Sequence, residues 1–430
     1  MIMKRKFEDV LVSWKNKNSR KPALIYGARQ IGKTTIIKYF GEKYFENMIY
    51  INFELNRELA EDFQGNISPE FLIHRFEVYF GEKINKETTL IVFDEIQACE
   101  RALTSLKYFY EDAPEYYIIG AGSLLGVAIK RDNFSFPVGK VNQFHMYPMD
   151  FEEFLWAKNQ KMLVDEVRVH YEKCEPMDPA LHKKAMGLYR EYLIVGGMPE
   201  AVREYSQNNS MLEVTEIQGS IINAYVADMA KYAKYSDTTK IMACFDSLPA
   251  QLAKENKKFQ YKVVARGGRA SLFGASIDWL LAAGIVIKCE RVEQGQHPLT
   301  IFKDMASFKL YMGDVGLLSH RAGVNEYDII KGNDHVFIGA LTENYVANAL
   351  TQKGYPLYYW TSGTSEVDFI IEKQSDAFPI EVKARENVKS RSLSVYVKQY
   401  HSKYSIRISG KNFGFENDIL SIPLYAVFCL

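Results

Sequence analysis

The chain has 430 residues, enough for about three domains of ordinary size. Hydrophobic residues at 47% and charged residues at 25% are globular values, which excludes disorder, collagen and coiled coil as descriptions of the whole. The 53 Lys+Arg cancel the 53 Asp+Glu, so any nucleic-acid surface has to be a local basic patch. Cys99, Cys174, Cys244, Cys289 and Cys429 are scattered, with no CxxC pair to seed a zinc site, and fit reduced thiols. No signal-peptide pattern opens the chain, and no uncharged run reaches the roughly 20 residues of a membrane span. The expectation is a cytoplasmic protein with no membrane contact.

In chain order, a short amphipathic lead (Phe7, Val10, Leu11, Trp14) precedes a βα alternation. Apolar runs at Ala23 to Tyr26, Met48 to Phe53, Leu90 to Phe93 and Tyr116 to Ile119 alternate with helical patterns, which predicts a parallel, doubly wound sheet over residues 1–145. Helical periodicity then dominates residues 146–235, read as a lid. Residues 236–325 show helical runs, a basic segment and a strand-like stretch at Ile285 to Val292, the order of a winged helix. Residues 326–430 begin with a helix at Ile338 to Leu350 and continue as alternating strands.

Between the first strand and its helix lies Gly27-Ala28-Arg29-Gln30-Ile31-Gly32-Lys33-Thr34-Thr35, which contains GxxxxGK[ST] in the strand–loop–helix context the motif requires. Its glycines let main-chain N–H groups wrap phosphate oxygens at a helix N-terminus. Lys33 then reaches the β and γ phosphates of ATP, and the Thr34 hydroxyl ligates Mg2+. The strand Leu90 to Phe93 ends in Asp94-Glu95, the Walker B pattern: Asp94 holds the magnesium and Glu95 orients or deprotonates the attacking water. Ser123, after the next strand, is expected at the same sheet edge as a γ-phosphate sensor. Arg131 and Lys140 are candidates for a cation acting on a neighbour's site in a homo-oligomer, against solvated surface charge as the plainer reading of both.

Near the C-terminus, Glu366-Val-Asp368 and Glu381-Val-Lys383 flank a polar turn. A hairpin centred between Gln374 and Ser375 sets Asp368 opposite Glu381 and Glu366 opposite Lys383. Period-two alternation then puts all four on one face. Asp368 and Glu381, with Lys383 and with Glu343 on the preceding helix, form a candidate second magnesium site. The alternative is a cross-strand salt-bridged face without activity.

With these motifs in view, the chain resembles the prokaryotic AAA-type P-loop ATPases that carry a C-terminal restriction-endonuclease-like domain of unknown function. The likeness runs nearly end to end, through Tyr26 to Thr35, Leu90 to Gln97, Ile118 to Leu125, Phe136 to Lys140, Tyr147 to Leu155, Val195 to Val202, Glu366 to Glu372 and Ile380 to Glu386. The resemblance implies an α/β architecture: a P-loop AAA-type parallel sheet with helical lid, a winged-helix module and a restriction-endonuclease-like α/β domain, in which Asp368, Glu381 and Lys383 match the D…ExK pattern. It also implies that Gly197-Met198-Pro199 touches the adenine side of the nucleotide, with a helix-ending turn as the alternative. Local basic stretches offer DNA contact: Lys254, Lys257, Lys258, Lys262, Arg266 and Arg269 in the middle, against packing between lid and effector, and eight Lys+Arg against two Glu from Glu381 to Lys411, against a solvated helix face. Two functions follow: an ATP-hydrolysing machine acting on DNA, or a non-cleaving nucleotide switch that binds a protein partner.

Overall fold

The computed structural model describes every residue except 1, 124, 129–135, 234, 334 and 386–390. Arg131 therefore lies outside the described residues. Two compact units are present, Met1–Tyr147 with Ala282–Gly284, and Pro148–Leu281 with Ile285–Leu430.

The first unit is built on five parallel strands: β1 (Ala23–Tyr26), β2 (Asn47–Asn52), β3 (Thr89–Asp94), β4 (Tyr117–Gly122) and β5 (Asn142–His145), in the order β2-β3-β4-β1-β5. Buried on both faces, β3 reads as an uninterrupted apolar run, as parallel central strands do. Because β4 lies between β1 and β3, the loops after β1, β3 and β4 emerge side by side at one sheet edge. The core on one face is aromatic, with Phe53, Phe63, Phe76 and Phe93 in mutual ring contact.

In the second unit, a helical stretch (Phe151–Ala157, Lys161–Lys173, Pro179–Val195, Pro199–Asn208 and Met211–Tyr232) leads to helices Tyr235–Leu252, Tyr261–Val264 and Ala270–Ala282. Capping fixes two of the starts: Asp150 forms a reciprocal box with Glu153, and the Asp178 carboxylate accepts from Ala180 and Leu181 N–H. The hairpin β6 (Val286–Val292) and β7 (Lys303–Met312) follows. After it come β8 (Tyr358–Ser362), β9 (Ser365–Lys373), β10 (Asp376–Val382), β11 (Ser405–Ser409), β12 (Gly414–Glu416) and β13 (Ile419–Pro423).

All eight strands form one sheet, β12-β13-β11-β10-β9-β8-β6-β7, so the strand-like stretch read at Ile285 to Val292 joins the sheet of residues 326–430. Parallel pairing of Glu290 with Tyr358 through Val292 with Trp360 makes that join. It is sealed by Val292 and Leu299 packing with Tyr358, Trp360, Val367 and Tyr396. Within that sheet β7 is the outer strand, and the hairpin is held to the rest through β6. The β9–β10 hairpin has the register read from the sequence, Asp376 opposite Lys373 through Ile380 opposite Phe369. Its two-residue turn puts Gln374 and Ser375 at positive φ.

Candidate nucleotide site

The phosphate loop turns on two glycines. Gly27 has φ +148° and a Cβ there would collide with the carbonyl oxygen of Met146; Gly32 has φ +89° and ends the loop. The helix Lys33–Tyr44 begins at Lys33 itself, so the first-turn N–H groups of a 12-residue helix open onto the loop. Lys33 is 7% exposed, and its ammonium donates to the carbonyls of Gly27 (3.1 Å) and Ala28 (2.7 Å). Burial pushes its pKa down to about 8, against the opposing pull of Glu95 and Asp94. Incoming phosphate oxygens would replace those two carbonyls.

Thr34 Oγ1 donates to Asp94 Oδ2 at 2.7 Å, joining the loop to the end of β3. Hydroxyl and carboxylate oxygens side by side suit magnesium. The same Asp94 oxygen accepts from the Tyr50 hydroxyl at 2.6 Å. Glu95 sits at φ +49°, an uncommon value for a residue with a side chain, which swings its carboxylate off the strand axis. That carboxylate accepts from Gln97 Nε2 at 2.5 Å and from Ser123 Oγ at 3.5 Å. The structure thus brings Lys33, Thr34, Asp94, Glu95 and Ser123 to one sheet edge.

Tyr50 and His145 are additions that no motif marked, and Gln97 ends the Leu90 to Gln97 motif without having been given a role. Tyr50 is visible only once β2 is known to flank β3. Gln97 is pinned by Gly122, where a Cβ would strike its Oε1. Burial, and then the Lys33 charge, lower His145 to about 4. Lys140 pairs with Glu111 at 2.9 Å on the surface, the plainer of its two readings.

Gly197-Met198-Pro199 lies in the second unit and starts the helix Pro199–Asn208. The buried Asp314 carboxylate accepts from Gly197 N–H at 2.6 Å and from Leu317 N–H at 3.0 Å, while Gly197 accepts from Met149 N–H at 2.7 Å. Burial raises Asp314 to about 6 despite those main-chain donors.

In the C-terminal cluster, the one-face arrangement is joined by a residue the sequence reading missed. Lys309 on β7 is fully buried, and its ammonium bridges Glu343 (3.0 Å) and Glu366 (2.6 Å). Burial opposes its charge, but Glu343, Glu366 and Asp368 hold it well above the ordinary lysine value. Glu343 also accepts from Lys257 and from the Tyr311 hydroxyl (2.5 Å). Burial would raise Glu343, yet Lys309 and Lys257 bring it to about 2. Lys383 pairs with Glu381 at 2.9 Å, and Asp368 Oδ2 accepts from Val382 N–H at 2.8 Å. Burial, reinforced by Glu343, lifts Asp368 to about 6.

Glu343 is therefore neutralised by ammonium groups and does not fit the metal role expected of it. Asp368 remains beside Glu381, whose Oε2 is buried without a hydrogen-bond partner. Among the described residues no group of three or more His, Cys, Asp or Glu is placed to hold a metal. Lys257 belongs to this interior cluster rather than to an outward basic face, and Lys254 donates to Gln260 at 3.3 Å. No described helix is long and apolar enough to cross a membrane.

Comparison with known proteins matches residues 19–155 to the AAA domain family. Residues 186–328 and 338–426 match two families described as domains of unknown function, DUF8612 and DUF4143. An uncharacterized protein of Haemophilus influenzae is 23% identical over 435 residues, covering 96% of this chain and 94% of its own. Among solved structures, a Walker-type ATPase of Pyrococcus abyssi has a TM-score of 0.46 at 16% identity, covering 74% of this chain and 96% of that one. The ORC2 protein of Aeropyrum pernix has a TM-score of 0.37 at 13% identity, with 75% and 91% covered.

Proposed function

We propose that the chain binds and hydrolyses ATP with Mg2+ at the edge of the parallel sheet, and that nucleotide state governs a C-terminal nuclease-like platform that contacts nucleic acid. The observation that carries the first part is the contact between Thr34 and Asp94, which joins phosphate loop and Walker B strand beside Lys33 and Glu95. Thr34 and Asp94 would hold the magnesium, which neutralises phosphate charge when bound. Lys33 exchanges its carbonyl partners for β and γ oxygens. Glu95 orients the attacking water while Ser123 donates toward the γ phosphate, so catalysis is positioning and electrostatics.

Mutation separates these roles. Lys33→Ala should abolish or strongly weaken ATP binding measured by calorimetry, whereas Glu95→Gln should keep binding and lower turnover by about a hundredfold or more. Equal turnover in Glu95→Gln and wild type overturns the assignment.

For the platform, the lysine-neutralised Glu343 and Glu366 favour recognition over cutting. The second reading, a nucleotide switch for a protein partner, rests on the same neutralisation. Plasmid incubated with magnesium, with and without ATP, discriminates cutting from both: nicking by wild type that Asp368→Ala and Lys383→Ala abolish would establish a nuclease. Salt-sensitive DNA binding by the full chain supports the platform, and its absence favours the protein switch.

A further inference from the structure

A cavity of about 710 Å³ lies wholly in the second unit. Its walls come from the helices Pro179–Val195, Glu326–Lys331 and Ile338–Gln352 and from the chain just beyond β10 and β11. The floor is apolar, formed by Met186, Tyr189, Ile329 and Ile338. Lys183, Arg190 and Arg385 bring three positive charges, and no Asp or Glu is among the described residues that line it.

Arg190 is the informative group. It is half-buried, and none of the described residues offers it a hydrogen bond or an ion pair. Its guanidinium lies against Gly332, where a Cβ would come within 2.8 Å of Cζ and where φ is +75°. The side chain is thus laid along a backbone that only glycine leaves open, facing a space with no carboxylate among the described residues that line it. With no counter-ion among the described residues, a partly desolvated guanidinium is costly unless an anion completes it, and its planar fork matches phosphate oxygens. His182 at the same cavity is held in place by the Tyr425 hydroxyl (2.9 Å) and the Gly410 carbonyl (3.1 Å), so its ring forms a fixed wall.

We propose that this cavity binds the phosphate monoester of a nucleotide, either free or at the end of a nucleic-acid strand. Lys183 and Arg190 together match a dianion, which a terminal phosphate carries and an internal diester does not. The apolar floor offers a surface for the sugar and base, and the volume is that of a single small-ligand site, too small for a duplex. The site lies two residues beyond Lys383 along the chain at Arg385, which puts a bound strand end next to the β10 terminus. The proposal goes beyond ATP at the phosphate loop and does not depend on it.

The test uses the full chain carrying Lys33→Ala, so that the phosphate loop is disabled. Calorimetry or fluorescence follows three probes: thymidine 5′-monophosphate, a short oligothymidylate with a 5′-phosphate, and the same oligonucleotide with a 5′-hydroxyl. At least one phosphorylated probe should bind, the hydroxyl probe about tenfold or more weaker, and adding Arg190→Met should weaken the phosphorylated probe about tenfold while Arg190→Lys recovers part. Binding of the mononucleotide alone identifies a free nucleotide, and binding of the phosphorylated strand alone identifies a strand end. Should Arg190→Met fail to fold, the exposed Lys183→Ala serves instead, with a several-fold loss expected. The proposal is overturned if neither phosphorylated probe binds, if the hydroxyl probe binds equally well, or if the charge substitutions leave affinity unchanged. Failure of the phosphate-loop reading would appear separately, as ATP binding that survives Lys33→Ala.

Discussion

Lys33 allows ATP affinity to be predicted as a function of pH. Its free-state pKa of about 8 reflects burial first, with Glu95 and Asp94 pulling upward and Arg29 downward. Phosphate oxygens next to the ammonium favour the charged form, so the bound-state pKa is higher than the free-state one. Binding therefore takes up a proton, and affinity falls as pH rises through the free-state value. About nine-tenths of Lys33 is protonated at pH 7 and about one-tenth at pH 9, so affinity should drop about tenfold, or roughly 1.4 kcal/mol. Neighbouring groups stay silent in this window: His145, near 4, is already neutral, and burial with the Asp94 hydrogen bond keeps Tyr50 protonated well beyond it. Calorimetry in buffers of different ionisation enthalpy should detect uptake of about half a proton at pH 8. The Lys33→Arg variant keeps its charge and should lose the dependence. A wild-type affinity equal at pH 7 and 9, with no proton uptake, would refute the reasoning. The same depression weighs on the nucleotide-free fold by roughly 3 kcal/mol below pH 8, relieved as pH climbs from 8 toward 10.5. Lys33→Met should accordingly melt at a higher temperature than wild type at pH 7 in the absence of nucleotide.

Three further outcomes follow from the two sites. Gln97→Leu removes the donor that holds the Glu95 carboxylate and should lower kcat about tenfold with KM for ATP little changed; a change confined to KM would contradict a role through Glu95. Lys309→Met leaves Glu343 and Glu366 without their shared ammonium and should destabilise the second unit by about 3–5 kcal/mol in chemical denaturation, with Lys309→Met/Glu343→Gln recovering part. A loss under about 1 kcal/mol would mean the bridge is dispensable. The folded-state pKa of Asp368 is raised to about 6, above its ordinary value near 3.8, so its ionisation erodes stability as pH rises between those values. Asp368→Asn should be the more stable protein at pH 8, by up to about 3 kcal/mol, with the advantage gone below pH 4; greater stability of wild type at pH 8 would reverse the sign.

What could be read in advance was local. The phosphate loop is nine consecutive residues whose glycines dictate their own backbone, so the strand–loop–helix was legible from Gly27 to Thr35 without any tertiary information. Asp94-Glu95 could be placed because a wholly apolar strand has to end at a sheet edge. The β9–β10 register was accessible for a similar reason: a two-residue turn leaves one pairing that keeps Phe369, Ile371, Phe378 and Ile380 buried.

The sequence by itself therefore determined the chemistry of the loop, the Walker B carboxylates and the facing of the hairpin, each encoded within about 20 residues. Only the tertiary structure decided which distant residues met them. Lys309 reaches Glu343 from 34 positions away along the chain, β6 joins β8 across the helix Ile338–Gln352, and Arg190 shares a cavity with Arg385. A lone lysine in the apolar run Phe308 to Met312 was the visible signal that a buried carboxylate had to face it. Which carboxylate that was depended on long-range packing, because non-local pairings are selected by how whole helices and sheets bury their surfaces and not by any short run of residues.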